Sequence, residues 1–112
     1  MSASSRATYL THVQVTRAPH AVTVILYGNG PLPYRVIPRG SHRLQLDLLD
    51  VKSAVPFRVL PVRHSILREI RIGTQLTTLQ LVFDLVPGIK SSVHYAVKHR
   101  TRLIAVQFRQ FR

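Results

Sequence analysis

Four carboxylates, six histidines and sixteen basic residues are the groups in this 112-residue chain that could do chemistry. The acids, Asp47, Asp50, Glu69 and Asp84, are scattered, and none forms a local pair for general acid and base work. Asp47 and Asp84 each sit within an apolar alternation, "LQLDL" and "LVFDL", where a structural role near a strand end is expected. Ser41-His42 and His64-Ser65 are sequence neighbours, and neighbours on a strand face opposite ways, which weakens a serine–histidine reading. The histidines stand at 12, 20, 42, 64, 94 and 99, without His-x-His or His-x-x-x-His spacing, so turn histidines are expected, not zinc ligands. "GNGPLP" lacks the Gly-Lys-Ser/Thr of a phosphate loop and reads as a turn. Together these point away from an enzyme and from any metal or cofactor.

The arginines are the real candidates. Thirteen of the sixteen basic residues are arginine, whose planar fork suits two-pronged recognition of carboxylates. Arg43, Arg63, Arg68, Arg71 and Arg102 are the expected ligand-binding set, on a shared exposed face. Glu69 either points the other way or pairs with an arginine. A net charge of +12 favours anionic partners such as nucleic acid, anionic lipid or a carboxylate-bearing polymer. The basic residues form no block of five or six, and 46% of the chain is hydrophobic, so a folded domain is expected over a solvated tail.

What must position these side chains is a set of strands. Val22, Val24 and Leu26 alternate with Thr23, Ile25 and Tyr27; Leu44, Leu46 and Leu48 alternate with Gln45 and Asp47. Ile70 and Ile72 flank Arg71, and Leu79, Leu81, Phe83 and Leu85 repeat the pattern. "RAPH", "GNGPLP", "PRGSH" and "VPGIKSS" separate the runs as turns. "VRHSILREIRIGTQ" is ambiguous at its start, where a helical turn near Ser65 to Arg68 is conceivable, but "REIRIG" reads as a strand ended by Gly73 with Arg71 pointing outward. Phe57, Phe83 and Phe108 are core by default.

The halves resemble each other. Val13 and Val15 match Ile70 and Ile72, and Val22, Val24 and Leu26 match Leu79, Leu81 and Phe83. Further on, Tyr34 aligns with Tyr95, Val36 with Val97, and Arg43-Leu44 with Arg102-Leu103. The paired tyrosines fit the core better than a sugar-stacking surface. Each half would be about four short strands with one apolar face, so the two must stack. The expected fold is an all-β, two-sheet β-sandwich built from two similar halves. A polar leader would occupy residues 1–9 and one domain 10–112. Pro56 and Pro61 in the connector suit an edge strand or an irregular crossing.

The order "YRVIPRGSHRLQLDL", "LPVRHSILREIRIGTQ", "LQLVFDL" and "RLIAVQF" resembles the AMIN domain over roughly residues 10–109. This family is the localisation module at the N-termini of periplasmic cell-wall amidases and of type IV pilus secretins. Thr74 before Gln75 and Thr78 at the head of the second Asp-containing strand depart from the family pattern. The resemblance implies a non-catalytic envelope module that binds peptidoglycan and positions an attached amidase or secretin. It implies a periplasmic location, with the export signal outside these residues, since "MSASSRAT" has no apolar centre. Peptidoglycan is therefore the expected partner, with other envelope proteins second, through an exposed strand edge. A nucleic-acid binder is the alternative from charge alone, without a helix-turn-helix, zinc finger or RNP-type strand to support it. No apolar run reaches the ~20 residues of a membrane span.

Overall fold

The alternating apolar runs become ten strands in the computed structural model, which describes residues 8–98 and 101–110. The leader residues 1–7 and His99 lie outside the described residues. The strands are β1 (Thr8–Ala18), β2 (Ala21–Gly28), β3 (Tyr34–Pro38), β4 (Arg43–Leu49), β5 (Val51–Ser53), β6 (Val59–Pro61), β7 (Leu67–Gln75), β8 (Thr78–Leu85), β9 (Ile89–Lys98) and β10 (Thr101–Gln110). They form two five-stranded sheets, ordered β5-β1-β2-β10-β9 and β3-β4-β8-β7-β6. The protein is all-β, in two sheets, as its alternation requires.

The duplication is visible in the pairing. Hairpins β1–β2 and β3–β4 come from the first half, β7–β8 and β9–β10 from the second, and each half gives one hairpin to each sheet. The halves meet where β2 pairs with β10 and β4 with β8. Val22, Val24 and Leu26 of β2 correspond in burial to Leu79, Leu81 and Phe83 of β8. Beyond that point the sequence alignment slips. Leu26 pairs with Ile104 and Phe83 with Leu44, so Leu44 corresponds to Ile104, not Leu103. Val36 pairs with Leu46 and Val93 with Val106, so Val36 corresponds to Val93, not Val97. The reason is the length of the second hairpin of each half: Leu26 to Val36 and Phe83 to Val93 both span ten residues, whereas Val36 to Leu44 spans eight and Val93 to Ile104 eleven.

The core lies between the sheets. Val24, Leu26, Ile104, Val106 and Phe108 face Leu46, Leu48, Ile70, Leu79, Leu81 and Phe83, all fully buried. Phe83 and Phe108 bridge the layers with ring centroids 5.2 Å apart and planes tilted by 51°. Phe57 is partly buried against this cluster.

Several local expectations need correction. No helical turn forms at Ser65 to Arg68; Ser65 and Ile66 form a bend and β7 begins at Leu67. Gly73 does not end that strand, because it stays paired with Gln80 and the strand continues to Gln75. Of "VPGIKSS" only Val86 to Gly88 turns; the rest joins β9, paired with β10. β1 begins at Thr8, so Thr8 and Tyr9, placed in the leader by the sequence, belong to a strand. Tyr34 and Tyr95 are not core: each is more than a third exposed, and they stack on one another at 6.5 Å where edge strands β3 and β9 meet. The connector supplies both remaining edges, β5 and β6, as its prolines suggest.

Candidate functional site

The five arginines fall in three places. In β7, Ile70 and Ile72 turn inward, so Arg71 and Glu69 share the outer face of the second sheet. Arg71 Nε donates to Glu69 Oε2 at 2.5 Å. This hydrogen bond, and then the charge of Glu69, holds the Arg71 guanidinium above its ordinary pKa. Arg43 lies opposite Asp84 in register, on the same face, with Nε 3.8 Å from the carboxylate. Asp47, also outward, is buried to 7% exposure; it accepts from Gln45 Nε2 at 2.7 Å, and Arg39 Nε donates to Gln45 Oε1 at 2.9 Å. Three of the chain's four acids therefore sit among arginines on one sheet face. The related positions of Asp47 and Asp84 become a shared face on adjacent strands.

Arg68 and Arg63 lie apart from that pair. Arg68 occupies an irregularity in β7 between Leu67 and Glu69, and its carbonyl accepts from the backbone N–H of Val62 and of Arg63. Arg63 has left-handed backbone, φ 57. Arg102 is in the other sheet, on the side of Ile104 and Val106, half-buried near the end of the sandwich. The structure thus brings together Arg43 with Arg71, and Arg63 with Arg68, but not all five. Replacing Glu69 with glutamine should leave the unfolding midpoint almost unchanged, since the pair is exposed. It should move elution from a cation exchanger to higher salt, because Arg71 loses its counter-charge; elution at unchanged salt would count against that pairing.

The histidine and serine neighbours also resolve. Ser41 and His42 lie in a turn, not on a strand, so their side chains do meet, Ser41 Oγ to His42 Nδ1 at 2.9 Å, in an exposed position. His64 Nε2 bonds the Ala18 carbonyl at 2.8 Å, while Nδ1 accepts from the Ile66 N–H at 3.1 Å. Those bonds fix the neutral tautomer with the proton on Nε2. His64 therefore ties the entry of β7 to the end of β1, where a solvated turn histidine was expected. Among the described residues no three of His, Asp or Glu gather as a metal site would need.

A concave feature lies elsewhere among the described residues. A cleft of about 790 Å³ is lined by Thr8, Pro31, Pro33, Leu49, the β5 residues, Thr74 and Leu76 among others. A second of about 640 Å³ continues it past Pro56, Phe57, Arg58 and Ile72. Ser53 and Thr74 line both, so the two form one trench between β5 of the first sheet and β7 of the second. Its walls are more apolar than polar along the first part and evenly mixed along the second. Leu32, almost wholly buried between Pro31 and Pro33, anchors one wall to the core.

Sequence reasoning missed the trench. One signal was present: "TQLTTL" makes a two-residue hairpin loop, Leu76-Thr77, between Gln75 and Thr78. Such loops favour glycine or asparagine where φ is positive, yet Leu76 stands there at φ 56, 93% exposed. Asp50 at the head of β5 is also left-handed, φ 57, and its N–H donates to the Thr77 carbonyl at 2.9 Å, locking the two rims together.

Fold and trench define the class: a duplicated two-sheet β protein with an open groove on one flank. In comparisons with known proteins, no family model matches this chain and no curated protein matches it.

Proposed function

We propose that this domain is a non-catalytic targeting module of the bacterial cell envelope, which binds peptidoglycan in the periplasm and positions an attached amidase or secretin. The order of motifs from "YRVIPRGSHRLQLDL" to "RLIAVQF" supports this reading, as does the +12 charge, which suits a carboxylate-bearing polymer. The observation that carries it is the trench between β5 and β7, an elongated open groove that suits a strand of polymer better than an enclosed metabolite. The arginines of the second sheet's outer face support attraction at longer range; with Glu69 and Asp84 beside them they are poor sole ligands.

The test is co-sedimentation with purified sacculi across a salt series. The chain should pellet at moderate salt and be competed by soluble muropeptides. Failure to pellet at moderate salt overturns the reading. Tight, selective DNA binding at physiological salt would favour the nucleic-acid alternative; mere charge-driven DNA binding should weaken by orders of magnitude between about 50 and 200 mM salt.

A further inference from the structure

We propose that the trench takes the ligand as an extended, carboxylate-bearing peptide, bound by strand addition between β5 and β7 with Leu76 folded over it. This rests on the peptidoglycan reading and names the part recognised: the stem peptide, not the glycan.

The backbone makes the argument. Gln75 and Thr78 flank a two-residue loop and so bond one another, which means Gln75 and Gly73 direct their backbone groups at β8. Ile72 and Thr74 then direct theirs the other way. The Ile72 N–H is taken by the Arg58 carbonyl at 2.7 Å, and β6 reaches only as far as Arg71. The N–H and C=O of Thr74 therefore open onto the trench. On the opposite wall, Ala54 N–H donates to the Leu10 carbonyl, toward β1. By alternation Val51 and Ser53 aim away from β1, along the free edge of the first sheet. Both walls thus offer unsatisfied strand edges to one groove, which is the arrangement that captures an extended chain. Glycan hydroxyl and N-acetyl groups can bond singly, but they do not present N–H and C=O at the strand repeat that would pair along both edges.

The side chains match the same ligand. Lys52 and Arg58 line the trench and suit carboxylates, while Asp50 suits an amine such as the diamino residue of a stem peptide. Pro31, Pro33, Leu49 and Leu76 form an apolar rim for alanyl methyl groups. Leu76 is the informative residue. A leucine at positive φ with its side chain in solvent is costly twice over, in backbone conformation and in exposed apolar surface. A residue that stabilises nothing in the free protein gains its contacts when the trench is filled.

The experiment uses the whole chain with three ligands: free stem tetrapeptide, glycan strands stripped of peptide, and intact sacculi. Each is measured with wild type, Leu76→Gly and Thr74→Pro. The peptide should shift amide resonances of Val51 to Ser53 and Gly73 to Thr77, and bare glycan should not. Leu76→Gly should raise the unfolding temperature yet weaken peptide binding by about tenfold or more. Thr74→Pro removes the outward N–H without taking a ladder bond from β8, and should weaken peptide binding likewise. If sacculi are retained equally by all three proteins, or bare glycan binds as well as peptide, the trench inference is overturned while peptidoglycan binding stands. If the peptide binds as described and sacculi do not, the envelope reading falls and peptide recognition survives. If neither binds, both are overturned.

Discussion

Replacing Phe83 with alanine should cost about 3–5 kcal/mol of folding stability, the usual range for deleting a fully buried phenylalanine. Phe83 sits on β8, in the centre of the second sheet, and Phe108 on β10, next to the edge strand of the first; their tilted contact at 5.2 Å joins the layers. Both rings are fully buried, Phe83 beside Leu44 and Ile70 in register and Phe108 beside Val22, so little of the vacated space can be filled by neighbours from solvent-facing positions. The tilted pair itself adds about 0.5–1.5 kcal/mol beyond area burial, and this is lost too. Against a typical total of about 5–15 kcal/mol, the change removes a large share of the stability. Urea denaturation followed by circular dichroism measures it: the midpoint should fall with little change in slope. A loss below about 1 kcal/mol would mean that the two sheets do not meet through this pair.

That contact was legible in the residue order. Leu79, Leu81 and Phe83 alternate with Thr78, Gln80 and Val82, and a strand with such a row must bury it. The same holds for Leu44, Leu46 and Leu48, hence two sheets and an all-β fold. Period two has a weakness, however. It is unchanged by any shift of two residues, so it cannot by itself fix which residue of one half matches which of the other. Val36 therefore aligns with Val97 in sequence but corresponds to Val93 in the sheets, and Tyr34 and Tyr95, which match by identity, are related instead by contact across the flank. Arg71 and Glu69 lie two residues apart on one strand, so pleating puts them on one face; the sequence reading leaves Glu69 either pointing the other way or paired, and the structure shows the pair. The trench did not. It depends on where β6 stops, on β5 pairing in parallel with a strand some forty residues earlier, and on left-handed backbone at Asp50 and Leu76. Each is a non-local outcome. Only Leu76, a leucine in the place of a glycine, left a mark in the sequence.

The second large effect concerns Gly28 and Leu32, at the point where the chain leaves the first sheet for the second. A Cβ on Gly28 would lie 2.6 Å from Leu32 Cδ2 and 2.9 Å from its Cγ, well inside contact distance. Leu32 is 1% exposed and has nowhere to retreat without leaving the core. Gly28→Ala should therefore cost about 1–3 kcal/mol by overpacking. Leu32→Ala should cost about 2–5 kcal/mol by emptying the same site. Made together they should cost less than the sum by about 0.5–3 kcal/mol, since the new methyl group occupies space the leucine has vacated. Thermal or urea unfolding of the four proteins gives the coupling; strict additivity would mean that the two residues do not touch. The pair also links stability to binding. Pro31 and Pro33 form part of the trench wall, and the buried side chain between them is what holds that wall to the sandwich. In Leu32→Ala the wall loses its anchor, so peptide binding should fall further than in Phe83→Ala measured where both remain folded. The core beneath the strands sets whether the domain folds, and one leucine in a proline loop sets whether the groove keeps its shape.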